Sequence, residues 1–342
     1  MTMSQDTTNP DHRIAMSRLM RAYRQSSSVG VAVELGLAER LAAGPRTVTE
    51  LAAEVGAHAP SLRRLLRALV AMGIVVEDRS DRYSITPLGE EMRQDRLGPT
   101  ARFFNSEHHL QAWLHFDHSI RTGERAFDHV HGMRNWDYYA THPAEAAIFD
   151  GAMSAITGPV SKALAAAYDF SKFPVVADLG GGDGTLLTEI LHRNPSIRGL
   201  LFDLPSVVER ARQRMAGAGL LDRCELVGGS FLENVPPGAN IYVMKTIIHD
   251  WEEPAVSAIL ERCRSAIGDS GAPFLVIERV LAEKIGPEDL DDLLADLEML
   301  ANPGGQERTE AEYTDLLQRA RFKLARIIPT PTPFKIIESV PL

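Results

Sequence analysis

Cysteine is nearly absent. The 342 residues contain two, Cys224 and Cys263, too few for a disulfide framework and without the paired spacing of a structural zinc site. Positive charge is also short: 36 Lys and Arg face 46 Asp and Glu, a formal net charge of −10, which disfavours nucleic acid or another polyanion as a partner. No apolar run approaches the length that spans a bilayer. The polar start Met1-Thr2-Met3-Ser4-Gln5-Asp6 lacks the apolar core of a signal peptide. No membrane partner is expected, and the cytoplasm is the expected location. What is left is a globular composition, 44% hydrophobic and 24% charged, in a chain long enough for two domains with separate cores.

The most informative stretch is Val175-Val176-Ala177-Asp178-Leu179-Gly180-Gly181-Gly182-Asp183-Gly184-Thr185, followed by a resumption of helical spacing. A short apolar run that meets glycines and then turns helical reads as strand, tight turn and helix, the opening unit of a doubly wound sheet. The dinucleotide fingerprint is incomplete, since Thr185 stands where its third glycine would be. A G-x-G-x-G turn with Asp178 two positions ahead of Gly180 instead resembles the first motif of S-adenosylmethionine (SAM) methyltransferases.

Residues 1–105 read as a mainly α, winged-helix-like domain. Met16, Leu19, Met20 and Tyr23 begin a helical periodicity that packs against something outside its own domain. A helix is expected over Val31 to Leu41, then one opened by a Thr47/Glu50 capping box, then one over Pro60 to Val70 carrying Arg63, Arg64 and Arg67, then a hairpin of Val75–Glu77 with Arg82–Ile85. In a ligand-sensing transcription regulator the arginine-bearing helix would enter the major groove. Residues 48–95, however, carry six basic and eight acidic side chains, and counterion release needs a positive face. Dimerisation is the favoured use of this domain.

Residues 106–170 read as a helical connector rich in histidine, including His108, His115 and His118, which on one helix would share a face. No Cys and no matched carboxylate accompanies them, so solvated surface or pocket lining is expected and no metal. Trp113, Trp136, Phe149 and Met153 add flat and soft apolar surface of the kind that walls an aromatic pocket.

Residues 171–342 alternate strand and helix patterns: strands are expected at Val175–Leu179, Gly199–Asp203, Cys224–Val227, Ile241–Lys245 and Phe274–Ile277, closed by a hairpin of Leu324–Ile328 with Lys335–Ser339. Ligands of such sheets sit beyond the carboxyl ends of the strands. Those ends deliver Gly180, Asp203, Gly229-Ser230-Phe231, Lys245 with His249-Asp250-Trp251, and Glu278. Asp203 can accept from ribose hydroxyls, and Ser230 and Phe231 can flank an adenine.

Leu201-Phe202-Asp203-Leu204-Pro205, Gly228-Gly229-Ser230-Phe231, His249-Asp250-Trp251 and Asn302-Pro303-Gly304-Gly305-Gln306-Glu307-Arg308-Thr309 occur together and in order. Over nearly its whole length the chain is similar to the plant caffeate and hydroxyindole type O-methyltransferases and their bacterial natural-product relatives. The resemblance implies a homodimer formed through the N-terminal domain, a Rossmann-like SAM domain with a closing antiparallel hairpin, and methyl transfer to a phenolic hydroxyl of a small aromatic acceptor, leaving S-adenosylhomocysteine. It also implies that Gly180, Gly182, Asp203, Leu204, Ser230, Phe231 and Lys245 hold SAM, that His249 is the general base steadied by Glu278 and Glu307, and that Trp113, Phe149, Met153, Met299 and Asn302 line the acceptor pocket. N-methylation, or other chemistry on the same scaffold, is the alternative within the fold. Three positions depart from the plant pattern: Ser230 replaces Asp, Arg321 replaces Gly, and Met299-Leu300-Ala301-Asn302 is one residue shorter.

The chemistry suits these residue types. The sulfonium charge of SAM disappears in the transition state, so a carboxylate against the methyl group would favour the ground state; a neutral imidazole avoids this. A phenol at pKa about 10 and a histidine at about 6.5 differ by roughly 3.5 units, or about 5 kcal/mol for full prior proton transfer. Carboxylates beside the imidazole narrow that gap by stabilising its protonated form.

Overall fold

The computed structural model describes residues 10–342; the polar start lies outside them. The chain divides into two compact units, one running to Leu110 and including Ala144–Ala155, the other comprising Gln111–Pro143 and Ile156–Leu342. The long helix Pro143–Ala167 contributes to both.

In the first unit the short strand β1 (Arg46–Thr47) leads into helix Val48–Val55, whose capping box forms as expected: Glu50 N–H donates to Thr47 Oγ1 at 3.2 Å and Thr47 N–H to Glu50 Oε2 at 2.6 Å. Helix Ala59–Ala71 buries Leu62, Leu66 and Leu69 and leaves Arg63, Arg64 and Arg67 exposed. Strands β2 (Val75–Glu77) and β3 (Arg82–Ile85) form the hairpin, its turn held by Asp78 Oδ1, which accepts from Ser80 N–H at 2.7 Å and Arg82 N–H at 3.1 Å. The order β1-β3-β2 completes the wing. A single helix over Val31 to Leu41 does not form. Gly36 takes a left-handed φ of 59°, so the chain makes two helices, Tyr23–Glu34 and Leu37–Ala42. Met16, Leu19, Met20 and Tyr23 lie more than half exposed within the chain.

The second unit is built on seven strands: β4 (Val175–Leu179), β5 (Arg198–Asp203), β6 (Cys224–Gly228), β7 (Ile241–Lys245), β8 (Phe274–Glu278), β11 (Phe322–Ile328) and β12 (Lys335–Pro341). A two-stranded parallel pair, β9 (Val280–Leu281) and β10 (Arg308–Thr309), stands beside them. The sheet order is β11-β12-β8-β7-β4-β5-β6, parallel except for the closing hairpin and its pairing with β8. Alternate residues feed two separate cores, which is how a sheet covered on both faces folds: Ala177, Phe202, Tyr242 and Val276 pack on one side, and Val176, Leu201, Val243 and Leu275 on the other. Strand order reverses between β4 and β7, so the crevice where ligands bind in such sheets opens beyond Leu179 and Lys245.

The expected sharing of one helical face by His108, His115 and His118 fails, because helix Glu107–Leu114 ends before His115 and His118 begins anew on Phe116–Thr122. His108 and His109 are buried, not solvated. His118 stacks on His129 with ring centroids 4.0 Å apart and lies 3.4 Å from a Glu124 oxygen.

Candidate active site

The glycine turn leaves β4 with three left-handed residues, Gly180 (φ 69°), Gly182 (φ 58°) and Gly184 (φ 82°), a backbone that side chains with a Cβ resist. A Cβ on Gly180 would lie 2.6 Å from Ile247 Cδ1 and 3.5 Å from the Phe231 ring, whereas one on Gly182 would meet nothing within 4 Å. The turn is therefore tight against the site wall at Gly180 and open at Gly182. Asp203, at the end of β5, locks it: Gly182 N–H donates to Asp203 Oδ2 at 2.8 Å, and Leu204 N–H to Oδ1 at 2.7 Å. Burial pushes this carboxyl up while those two donors hold it down. Phe231 stands edge-on to Trp251 at 5.9 Å, and Ser230 Oγ accepts from Leu232 N–H at 3.3 Å.

Period-two alternation puts Asp178 and Lys245 on one face of the sheet and Glu278 on the other. Burial raises Asp178 to about 7 against the pull of Lys245, and its Oδ2 has no hydrogen-bond partner. Burial lowers Lys245, while Glu278, Asp178 and Asp250 pull it up; its Nζ donates to Thr246 Oγ1 at 3.1 Å. A glycine cradle with open backbone, a strand-end carboxylate and an orphaned buried carboxylate oxygen suit a ligand carrying hydroxyls, an amine and a carboxylate, as SAM does.

On the other face, the one-turn helix Ile248–Asp250 follows β7 and presents His249. Its Nδ1 lies 2.8 Å from Glu307 Oε1 and 3.4 Å from Glu278 Oε2, and its Nε2 lies 3.5 Å from Asp250 Oδ1. The imidazole keeps 13% exposure; the two glutamates are sealed. Glu278 is pinned by Ile247 and Ile248 N–H groups, each donating to Oε1 at 3.0 Å. Glu307 is set by its own N–H donating to Asp296 Oδ1 at 2.8 Å. The loop carrying it comes in close because position 305 is glycine: a Cβ there would collide with the His249 carbonyl. Burial disfavours the charged imidazole, but Glu278, Asp250 and Glu307 together outweigh it and raise His249 to about 10. Resting His249 therefore holds a proton at neutral pH, with Nδ1–H directed at the carboxylates and Nε2 as the nitrogen that gains or loses the second proton. Burial in turn raises Glu278 to about 7 and Asp250 to about 6. His249, Glu278 and Glu307 each offer an atom within 4.8 Å of the others, the one such group of three among the described residues that could hold an ion.

The five residues expected at the acceptor fall in both units. Phe149 and Met153 belong to the first, where the Phe149 ring meets Phe103 edge-on at 5.6 Å. Trp113, Met299 and Asn302 belong to the second, and two of them meet at Glu298: Trp113 Nε1 and Asn302 Nδ2 each donate to it at 2.7 Å. Glu298, Asp296 and Asp250 also contact the site residues, beyond those expected from the motifs. Asp250 was visible as the neighbour of His249 in His-Asp-Trp; the other two depend on how helix Leu290–Ala301 packs.

The O-methyltransferase domain family matches residues 109–323, and the O-methyltransferase dimerisation domain family matches residues 17–95. The chain belongs to the O-methyltransferase family. As a SAM-dependent methyltransferase it is 38% identical to the phenazine O-methyltransferase PhzM of Lysobacter antibioticus, over 95% of each chain. It is 35% identical to the mitomycin biosynthesis 6-O-methyltransferase of Streptomyces lavendulae, over 99% of each. Among solved structures, the neocarzinostatin biosynthesis O-methyltransferase NcsB1 with SAM and 2-hydroxy-5-methyl naphthoic acid superposes with a TM-score of 0.78 at 34% identity, covering 93% of this chain and 96% of that one. The methyltransferase thus pairs an N-terminal dimerisation domain with a class I α/β domain, and the dimerisation domain supports a homodimer. Among the described residues no helix is long and apolar enough to cross a membrane.

Proposed function

We propose that the enzyme methylates a phenolic hydroxyl of a small aromatic natural product, with His249 as general base and Glu278 and Glu307 as its positioning carboxylates. The observation that carries this reading is the pair of contacts at His249 Nδ1, 2.8 Å to Glu307 and 3.4 Å to Glu278. They fix the tautomer and leave Nε2 to take the phenolic proton. Gly180, Gly182, Asp203, Leu204, Ser230, Phe231 and Lys245 hold SAM, which when bound supplies the methyl group and the sulfur leaving group. Trp113, Met299 and Asn302 serve the acceptor, and the resemblance alone assigns Phe149 and Met153 to it.

The carboxylates change the proton balance expected for an ordinary histidine. A base raised well above an ordinary histidine lies nearer a phenol at about 10, so proton transfer from acceptor to Nε2 costs less than it would with a free imidazole and can accompany methyl transfer. The same carboxylates keep the base protonated at neutral pH, so only the minor deprotonated form is active and the rate climbs with pH. No step needs a Lewis acid, and the reaction is proposed to be metal-free. The enzyme acts as a cytoplasmic homodimer through its first unit, whose exposed Met16, Leu19, Met20 and Tyr23 offer the apolar face. Nucleic acid has no part in the function: the exposed arginines of helix Ala59–Ala71 sit in a net-acidic segment.

The test is calorimetric titration with S-adenosylhomocysteine, then mass spectrometry of reactions with SAM and a panel of phenazine, naphthoate and catechol acceptors. Nucleotide binding with a product heavier by one methyl group is expected. Nucleotide binding with no methylated phenol across the panel would overturn the acceptor class, and no nucleotide binding would overturn the cofactor site.

A further inference from the structure

Helix Leu290–Ala301 carries a carboxylate that the proton chemistry does not use. Glu298 is half-buried, and burial raises it to about 7 against the pull of its two donors, Trp113 Nε1 and Asn302 Nδ2, each at 2.7 Å. It also lies close to Tyr139, whose phenol is pushed up by burial and then by the charge of Glu298. Trp113 and Asn302 are far apart in sequence, come from different helices, and are both proposed to serve the acceptor. One carboxylate ties them together.

The consequence lies in the Asn302 amide. Its backbone is fixed by N–H donation to the Glu298 carbonyl at 3.0 Å, where the helix ends. In the ionised form that its two donors favour, Glu298 can only accept, and the amide turns its NH₂ toward it. Its carbonyl Oδ1 is thereby directed away. Among the described residues no donor reaches that oxygen, and it is not one of the polar atoms sealed from solvent. With Glu298 replaced by an amide, the donor and acceptor ends of Asn302 could exchange.

We propose that Glu298 is a specificity-determining positioning residue: by holding the Trp113 indole and the Asn302 NH₂, it makes Asn302 present a hydrogen-bond acceptor, so the enzyme selects phenols that carry a second hydrogen-bond donor, a hydroxyl or an N–H, besides the oxygen to be methylated. This rests on the placement of Asn302 at the acceptor proposed above. A ligand donor meeting Oδ1 gains a bond. A ligand lacking one leaves that oxygen desolvated without a partner, which amounts to about ten-fold in affinity.

The experiment uses the full-length dimer saturated with S-adenosylhomocysteine, so that acceptor binding is read without turnover. Calorimetry compares 2,3-dihydroxynaphthalene with 2-naphthol. Wild-type protein is expected to bind the dihydroxy probe about ten-fold more tightly. In Glu298→Gln, whose side chain can donate to Asn302 Oδ1, the preference falls to about two-fold or less, while nucleotide affinity and the binding of 2-naphthol stay within about two-fold. A purely structural role for Glu298 would weaken both probes alike. Asn302→Leu is expected to abolish the preference too, and it serves if Glu298→Gln fails to fold. Retention of the preference in either folded variant, equal loss for both probes, or no preference in the wild type, failure of both probes to bind included, overturns the proposal. Failure of methyl transfer with the binding preference intact would instead overturn the role of His249 and leave that of Glu298 standing.

Discussion

The two ends of the crevice are assembled in opposite ways. The proposed cofactor end is local: the Gly180–Gly184 turn and Asp203 meet at the ends of two adjacent strands, where Gly182 N–H donates to the Asp203 carboxylate. The proposed base end is distributed: His249, Glu278 and Glu307 arrive from three separate segments and meet by side chain. They differ electrostatically as well. At the proposed cofactor end a buried lysine, Lys245, stands near Asp178, and Glu278 and Asp250 also pull on it. At the base end three carboxylates surround one imidazole, and the excess negative charge makes that imidazole a much stronger base than a free one. A backbone cradle selects a ligand by shape, whereas a side-chain cluster sets a proton affinity, and substitutions should separate the two.

The largest effect is expected from His249→Ala, which should lower kcat for a phenol acceptor about 10³-fold and leave S-adenosylhomocysteine affinity within about two-fold, as read by calorimetry. Gly180→Val is the converse. A Cβ there meets Ile247 and the left-handed φ becomes strained, so nucleotide affinity should fall about 10²-fold. Weakened nucleotide binding in His249→Ala, or normal binding in Gly180→Val, would erase the distinction between the two ends.

The same contrast explains what could be read before folding. The glycine turn, the strand ends and the Thr47 capping box were legible because each is a contiguous pattern whose geometry follows from its own residues. Strands β4 and β7 fall on their expected bounds, and β5, β6 and β8 each run one residue longer. The break at Gly36 was hidden because apolar spacing continues across it, and only the left-handed backbone ends the helix. Strand β1 is two residues long and carries no periodicity. Asp296 and Glu298 lie on a helix whose facing partners, Glu307 and Trp113, are distant in sequence, so nothing local marks them. The family motifs named His249, Glu278 and Glu307 as candidates. The resemblance already implied that Glu278 and Glu307 steady His249; that Asp250 joins them came only with the fold.

A smaller effect tests the electrostatics of the base end. Glu307→Gln keeps a side chain at Nδ1 but removes a charge, so the plateau rate reached at high pH should fall by up to about ten-fold and the rising limb of the pH profile should move to lower pH. The smallest effect concerns ions: exhaustive chelation should change the rate by less than about two-fold, because no step draws on a metal. A larger loss, restored by a divalent cation, would turn the cluster of His249, Glu278 and Glu307 into a metal site.

The most direct measurement is the pH dependence of single-turnover methyl transfer in preformed ternary complexes of wild type and Glu307→Gln. His249 is protonated below its raised pKa and becomes competent as pH rises through it, so the wild-type rate should still be climbing well above pH 6.5, with the Glu307→Gln limb displaced toward acid. A wild-type rate already level near neutral pH, or a limb that Glu307→Gln leaves in place, would contradict a carboxylate-raised His249 as the base.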